Sequence, residues 1–180
     1  MDSESDISRT ARGDHLAFGR IVAAHQSPLF AYLGRMGLDR ATAEDIAQEA
    51  LLRVWRNAGQ FNPRLARLTT WILTIARNLA LTHLARPRPG QTVSDDALAE
   101  LPSGDAAADE GMMARERLAR LRAALTQLPA ADRLLLAASY TSDLSLADIA
   151  RIEGCTQGAA KVRLHRARAR LRTLMETDDV

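Results

Sequence analysis

Apolar residues recur at helical spacing along most of the chain, and the strict alternation typical of β-strands is absent. In the N-terminal half this pattern predicts helices at about 14–25, 28–37, 39–57 and 69–86, with a loop at 59–68 that contains Pro63. Ser27 and Pro28 are typical of the cap and first position of a helix, so they predict a break between the first two helices. The last of the four is expected to end before Pro87.

The C-terminal half has a second helical pattern, from about 113 to 175. Leucines at positions 118, 121, 125 and 128 mark its first helix, and Pro129 separates it from a helix at 130–140. Ser145 and Asp148 are spaced as a capping box that opens a short helix at 145–152. A turn at 153–156, which contains Gly154, leads into a long helix at 157–174. Short helix, glycine-containing turn and long helix together predict a helix-turn-helix.

Residues 87–112 differ in composition from both halves, because they are rich in proline, glycine and acidic side chains and poor in large apolar ones. Such a segment cannot bury a core and is expected to be a flexible linker. The predicted fold is therefore all-α, with two small helical domains at 14–86 and 113–175 joined by a flexible acidic linker. The N-terminal residues 1–13 are expected to be disordered, and 176–180 to form a short tail.

Charge distribution is more informative than the net charge of +2. The last long helix carries six basic residues and no acidic one: Lys161, Arg163, Arg166, Arg168, Arg170 and Arg172. A basic second helix in a helix-turn-helix is typical of a helix that enters the DNA major groove. Seven arginines and no acidic residue also lie between Glu49 and Asp95. Nucleic acid is therefore the leading partner, and a solvated basic helix on an ordinary bundle is the alternative.

The residues do not favour catalysis. The single cysteine, Cys155, excludes an intramolecular disulfide, the four histidines lack metal-ligand spacing, and no glycine-rich phosphate loop occurs. We therefore expect no enzymatic activity, no metal and no cofactor. The polar N-terminus does not resemble a signal peptide, and no apolar run approaches the ~18 residues that span a bilayer. A cytoplasmic protein without membrane insertion is expected.

Two amphipathic segments are candidates for binding surfaces. In 41–56 the apolar residues Ile46, Ala50 and Val54 share one face, and the opposite face carries Asp45, Gln48, Glu49, Leu52 and Trp55. This second face either binds a protein or widens the core stripe. In 69–89 and the preceding loop, arginine and asparagine suit nucleic acid, and Trp71 either stacks on an unpaired base or belongs to the core.

These segments, in this order, resemble the extracytoplasmic-function sigma factors of bacteria. Residues 154–172 look like the region-4 recognition helix of that family, and 41–56 look like region 2.2, with Asp45, Gln48 and Glu49 at its acid-x-x-Gln-Glu signature. Residues 69–84 look like regions 2.3 and 2.4, most clearly at Trp71 and at 76–79. The resemblance covers nearly the whole chain except the N-terminal dozen residues and the linker.

The resemblance implies binding to core RNA polymerase, recognition of promoter DNA, melting of its −10 element, and control by an anti-sigma factor. It implies polymerase contacts at Asp45, Gln48, Glu49, Leu52 and Trp55. It implies contacts to the −10 element at Asn62, Arg64, Arg67, Thr70, Trp71, Arg77 and Asn78. It implies contacts to the −35 element at Thr156, Gln157, Lys161, Val162, Arg163, His165, Arg166 and Arg168.

The chain departs from the family pattern at a few positions. Val162 stands where serine is frequent, 159–160 are both alanine instead of threonine and valine, and Thr82 and Ala85 replace common aspartate and arginine. These changes affect the expected promoter preference and not the expected role. Two other classes compete with this interpretation: a conventional helix-turn-helix regulator that binds duplex DNA on its own, and an interaction module such as an anti-sigma antagonist.

Overall fold

The computed structural model describes residues 3–85, 108–141 and 144–177, with side chains described for 5–85, 115–141 and 144–176. Within these ranges the chain is all-α, as predicted. The helices are α1 (Ser3–Thr10), α2 (His15–Gly34), α3 (Arg40–Arg56), α4 (Leu68–Leu84), α5 (Ala108–Gln127), α6 (Ala130–Ser139), α7 (Leu146–Ile152) and α8 (Gln157–Thr177), with a short 3-10 helix at Ala58–Gln60.

Helices α2, α3 and α4 pack on one another and form the core of an N-terminal unit. The predicted apolar face of α3 is confirmed, because Ile46, Ala50 and Val54 are buried. Helix α3 begins where a cap is available: the Asp39 carboxylate accepts a hydrogen bond from the Thr42 backbone N–H at 2.9 Å. Capping and the buried stripe together fix the start and the rotation of this helix.

The predicted break at Ser27 and Pro28 is wrong, because α2 continues through Pro28 as one helix. A proline inside a helix costs about 3 kcal/mol through the lost hydrogen bond and ring clash. Ile21 before the proline and Leu29 and Leu33 after it are all buried in the same core. Packing on both sides therefore holds a single helix axis and outweighs the local cost.

The prediction that residues 1–13 are disordered is also wrong. Residues 3–10 form α1, which packs against α2 and buries Ile7. Arg20 of α2 forms a salt bridge with Asp6 at 2.6 Å, and this hydrogen bond lowers the pKa of Asp6. One apolar contact and one ion pair to α2 therefore order a segment that is polar along its length.

Helices α5 to α8 form the C-terminal unit, and its predicted helix-turn-helix is present as α7, a turn and α8. Both hydrogen bonds of the capping box between Ser145 and Asp148 are formed. Gly154 in the turn has φ +63, a backbone conformation that favours glycine. Most of the predicted linker, 87–107, lies outside the described residues, whereas 108–112 belong to α5. The predicted tail at 176–180 begins inside α8, and 178–180 are outside the described residues.

The two units pack against each other. Helix α4 contacts α7 and α6, and α2 contacts α6. A single cluster of buried apolar side chains runs through both units, and the half-buried Arg133 of α6 donates a hydrogen bond to the Met36 carbonyl at 3.4 Å. The burial of Arg133 lowers its pKa. None of the described helices combines the length and apolar character needed to cross a bilayer.

Candidate nucleic-acid interface

Helix α8 presents the side chains that were predicted to read DNA. Ala160, Leu164 and Ala167 are buried against the C-terminal unit. The opposite side is exposed and carries Gln157, Lys161, Val162, His165, Arg166 and Arg168. Thr156 caps the helix, because its hydroxyl accepts a hydrogen bond from the Ala159 N–H at 3.2 Å. The buried face therefore packs α8 against the C-terminal unit, and the exposed face is accessible to a polyanion such as DNA.

Two basic residues of α8 are already paired: Arg170 forms a salt bridge with Asp132 of α6, and Arg163 binds the turn that precedes α8. Nη2 of Arg163 lies 3.1 Å from Oε2 of Glu153 and its Nη1 lies 3.9 Å from Sγ of Cys155. Both partners belong to the turn that precedes α8. The guanidinium therefore connects the recognition helix to its own turn in this arrangement.

The loop before α4 holds two of the predicted −10 residues on the surface. Asn62 and Arg64 are exposed, and the Asn62 side chain accepts a hydrogen bond from the Arg64 backbone N–H at 3.0 Å. That contact shapes a tight turn typical of asparagine. Trp71 lies partly buried, with its ring centroid 5.4 Å from that of Phe61. It packs against the core and keeps an exposed part near the loop.

Two further predicted −10 residues contact Asp148 of the C-terminal unit. Arg67 donates to one carboxylate oxygen of Asp148 at 2.8 Å, and the Thr70 hydroxyl donates to the other at 2.9 Å. Thr70 is completely buried. Burial by itself would raise the pKa of Asp148, but hydrogen bonds from Ser145, Thr70 and Arg67 outweigh it and lower the pKa to about 2. Asp148 is therefore ionised across the neutral pH range.

Arg77, in the middle of α4, contacts the same unit through Glu153. Its Nη2 lies 3.2 Å from Oε2 of Glu153, the oxygen that also receives Arg163. The Glu153 side chain has no solvent exposure and that of Arg77 has 16%. Asn78 next to it is exposed and accepts a hydrogen bond from Nη1 of Arg77 at 3.2 Å.

The predicted polymerase-binding face of α3 lies on the surface of the N-terminal unit. Asp45 and Gln48 are exposed, and Leu52 is 40% exposed. Glu49 forms an i,i+4 salt bridge with Arg53 at 2.7 Å. Trp55 is only partly exposed because it stacks on His15, with ring centroids 4.6 Å apart, and meets Phe18 at 5.2 Å. Four of the five side chains are therefore at least partly accessible, and Trp55 is held by α2.

The matches to known protein families reproduce this division into two units. The chain matches the family models for Sigma-70 region 2 over residues 21–88 and for Sigma-70 region 4 over residues 118–171. It is 33% identical over 162 residues to the ECF RNA polymerase sigma factor RpoE of Cereibacter sphaeroides, which covers 90% of this chain and 88% of that protein.

The chain belongs to the extracytoplasmic-function (ECF) family of RNA polymerase sigma factors. The RNA polymerase sigma-H factor of Pseudomonas aeruginosa is also 33% identical, over 172 residues, covering 90% of this chain and 88% of that one. Among solved structures, the sigma factor RpoE from Bartonella quintana in complex with the anti-sigma factor NepR is 25% identical, with a TM-score of 0.65 over 89% of this chain and 98% of that chain.

Region 2 of this ECF sigma factor therefore contains α2 to α4, and region 4 contains the helix-turn-helix. Among the described residues, no group of three or more His, Cys, Asp or Glu side chains is arranged to hold a metal ion. Arg67, Thr70 and Arg77 of region 2 all bond to carboxylates of region 4, but only Thr70 and Arg77 are covered. Arg67 remains 54% exposed and lies on the surface, as do Asn62, Arg64 and Asn78.

Sequence reasoning missed the two acidic residues at this junction. The local pattern explains Asp148 as a helix cap and Glu153 as part of a turn, and it indicates no further partner for either residue. The signal for Glu153 is weak: it is a carboxylate in an otherwise basic stretch. Nothing in the local pattern reveals that its partners include Arg77, which lies 76 positions earlier.

Proposed function

We propose that this chain is an alternative sigma factor that binds core RNA polymerase and directs it to promoters through their −35 and −10 elements. The observation that carries the proposal is the exposed basic face of α8 in a helix-turn-helix, on the same chain as a region-2 bundle. A conventional helix-turn-helix regulator would need no region 2, so the family membership removes the support for that alternative.

The −35 element is assigned to the exposed side of α8. The N-terminal part of a recognition helix contributes most base contacts, which places Gln157, Lys161 and Val162 at base edges. His165 follows one turn later on the same face. Arg166 and Arg168 are exposed and suit phosphates, because arginine binds phosphate oxygens with two parallel hydrogen bonds. Thr156 supports this face by capping α8.

The −10 element is assigned to the loop before α4 and to the adjoining side of α4. Asn62, Arg64 and Asn78 are exposed and supply donors and acceptors for single-stranded DNA. Trp71 supplies an aromatic edge beside them. Arg67 is also exposed, at 54% of its side chain, and Thr70 and Arg77 complete the site once region 4 no longer covers them.

Docking on core polymerase is assigned to the outer face of α3. Asp45, Gln48 and Glu49 share this face with the half-exposed Leu52 and supply carboxylate and amide groups on its N-terminal side. An apolar centre with a polar rim is the usual composition of a protein interface. The ring stack of His15 on Trp55 holds the end of this face rigid.

Control by an anti-sigma factor is part of the proposal, because a relative with this fold is known in complex with one. The role is that of a non-enzymatic initiation factor without a bound cofactor. We place it in the cytoplasm, where a sigma factor meets the bacterial polymerase and chromosome.

The test is transcription in vitro with core polymerase on a library of templates with randomised −35 and −10 elements. We expect enriched transcripts that share one −35 and one −10 sequence, and no enrichment with core alone. A Gln48→Ala, Glu49→Ala variant is the matched control. It keeps both proposed DNA surfaces, and we expect it to give fewer transcripts because it binds core polymerase more weakly. Equal transcription of all templates, or tight specific binding of a full promoter by the free chain, would contradict the proposal.

A further inference from the structure

A pocket of about 400 Å³ lies between helix α2, the start of α4 and the segment that follows α6. We call it the α2–α4 pocket. Its polar wall consists of two arginines, one histidine and three hydroxyl residues: Arg35, Arg67, His25, Ser27, Thr69 and Thr141. Among the described residues that line it, none is acidic. A recess of this size with a few converging polar groups is typical of a small-molecule site.

Arg35 is the side chain in this wall that most needs a partner. It is half-buried at the C-terminal end of α2. Within the described part of the chain, its guanidinium forms no ion pair and no hydrogen bond. Arg20 of the same helix, in contrast, is bound to Asp6. A charge that loses part of its water without gaining a partner costs free energy, so an anion beside Arg35 is favourable.

The wall also contains hydrogen-bonding groups that the protein leaves unused. The exposed Ser27 hydroxyl bonds to no other described residue. Nδ1 of His25 lies 3.3 Å from Oγ1 of Thr69, and its Nε2 is buried without a partner among the described side chains. Burial lowers the pKa of His25, so the neutral ring carries one proton and offers one acceptor. Thr141 donates its hydroxyl proton to the Ala137 carbonyl and therefore only shapes the wall.

Arg67 adds a second positive charge to the pocket. One of its guanidinium nitrogens donates to Asp148 at 2.8 Å, which offsets part of this charge, but Asp148 does not line the pocket. Arginine binds phosphate oxygens with two parallel hydrogen bonds. A phosphate group presents three acceptor oxygens, so it can use both arginines and a hydroxyl at once, whereas a carboxylate presents only two. The donors therefore suit phosphate best.

We propose that the α2–α4 pocket binds the phosphate group of a small phosphorylated molecule, with Arg35 as the main anchor and Arg67 and Ser27 as further donors. Two observations favour a small molecule over a nucleic-acid strand. The pocket is bounded by α2 and α4 of region 2 and by Thr141 of region 4, so it is a local recess and not a continuous groove. None of its described lining residues is Phe, Tyr or Trp, the side chains on which unpaired bases stack.

Isothermal titration calorimetry of the full chain tests the site with inorganic phosphate, pyrophosphate, ATP and, for comparison, sulfate. We expect one site per chain, at which pyrophosphate and ATP bind about tenfold or more tightly than sulfate. Arg35→Gln should weaken this binding about tenfold or more, because it removes a charge-assisted hydrogen bond. Arg12→Gln removes the same charge from an exposed arginine outside the pocket and should bind normally.

Ser27→Asp tests the site without changing a half-buried residue. Ser27 is exposed, so the variant should keep its helical content by circular dichroism even if Arg35→Gln loses helix. The added negative charge should repel phosphate and weaken binding by a similar factor. Thermal unfolding gives a second measurement: at a ligand concentration of about 100 Kd, the midpoint should rise by about 5–10 °C for the native chain and Arg12→Gln. The rise should be smaller for both pocket variants.

A single-stranded oligonucleotide at equal phosphate concentration separates the two sources of phosphate. Arg35-dependent binding of the oligonucleotide without binding of the small phosphates assigns the site to DNA and overturns the proposal. Equal affinity for phosphates and sulfate, weaker than about 1 mM, indicates an adventitious ion only and overturns it as well. The same holds for binding that Arg166→Gln on α8 abolishes and Arg35→Gln leaves unchanged. Saturable binding of pyrophosphate or ATP that both pocket variants weaken supports the proposal.

Discussion

The buried carboxylate of Glu153 lies 3.2 Å from the guanidinium of Arg77, which joins the turn of the region-4 helix-turn-helix to the middle of region-2 helix α4. This contact links the units assigned to the two promoter elements. We predict that the free chain has little specific affinity for promoter DNA, because its two proposed DNA surfaces need a scaffold to fix their spacing; binding of the free chain to a full promoter measures this.

The α3 face should affect polymerase binding and not folding. We expect Gln48→Ala, Glu49→Ala to weaken binding to core polymerase by roughly 1–3 kcal/mol, the scale of interface truncations. Its thermal midpoint should stay within a few degrees of the native value, because Gln48 is exposed and the salt bridge of Glu49 to Arg53 is a surface pair worth about 0.3–0.5 kcal/mol.

Fluorescence-detected binding to core polymerase and thermal unfolding measure the two effects. Glu116→Ala, an exposed change of the same charge on α5, serves as the control and should bind normally. Normal binding by the double variant, or its unfolding, would remove these residues from the docking surface.

Val162 should influence which −35 base is preferred. Its side chain is 51% exposed on the DNA-facing side of α8 and offers only an apolar contact, so we expect it to favour a thymine methyl group. Val162→Ser should change the preferred base in a selection of −35 variants by holoenzyme. An identical selected sequence for both proteins would show that Val162 does not read the promoter.

Arg166→Ala is the matched change on the same face and should behave in the opposite way. Loss of a phosphate contact weakens all −35 sequences about equally and lowers the slope of log affinity against log salt by about one unit. Val162→Ser should leave that slope unchanged. Binding of holoenzyme to promoter DNA at several salt concentrations distinguishes the two variants.

The N-terminal helix should contribute to the stability of region 2. Ile7 is buried against α2, so Ile7→Ala should lower the free energy of unfolding by about 2–4 kcal/mol in urea denaturation. Ser5→Ala changes an exposed residue of the same helix and should alter it by no more than about 0.5 kcal/mol. Equal stability of both variants would mean that α1 does not support the core.

The Asp148 contacts predict a defined pH dependence of stability. Because the folded state lowers the pKa of Asp148 from 3.8 to about 2, its stabilisation is fully present above pH 3.8 and is lost as pH falls through about 2. The stability difference between the native chain and Asp148→Asn should therefore be constant from pH 5 to 8 and shrink in acid. Urea denaturation of both proteins at a series of pH values measures it. A difference that changes near neutral pH would contradict this assignment.

Sequence alone determined the helices with a strong local signal. The buried stripe of α3 and its Asp39 cap, and the capping box of α7, depend on neighbours within a few positions, so they can be read from the chain. The order of the two units and the basic face of α8 follow in the same way. The polymerase and DNA assignments came from the family resemblance and remain predictions.

Only the tertiary structure shows where helix packing outweighs the local conformational preference of the sequence. Pro28 predicted a break, but burial of residues on both sides keeps α2 continuous. Residues 3–10 are too polar to predict a helix, and Ile7 and Asp6 become ordered only because α2 supplies a partner for each.

The junction between regions 2 and 4 was equally inaccessible to sequence reasoning. Asp148 satisfies a local cap and Glu153 lies in a local turn, so both residues have a sufficient local explanation. Their second set of partners lies 76 to 81 positions away and is brought near by the packing of α4 on α7. The sequence therefore determined which side chains are chemically suited to DNA. The tertiary structure decided which of them are covered, because contacts between distant segments depend on the packing of whole helices and not on local pattern.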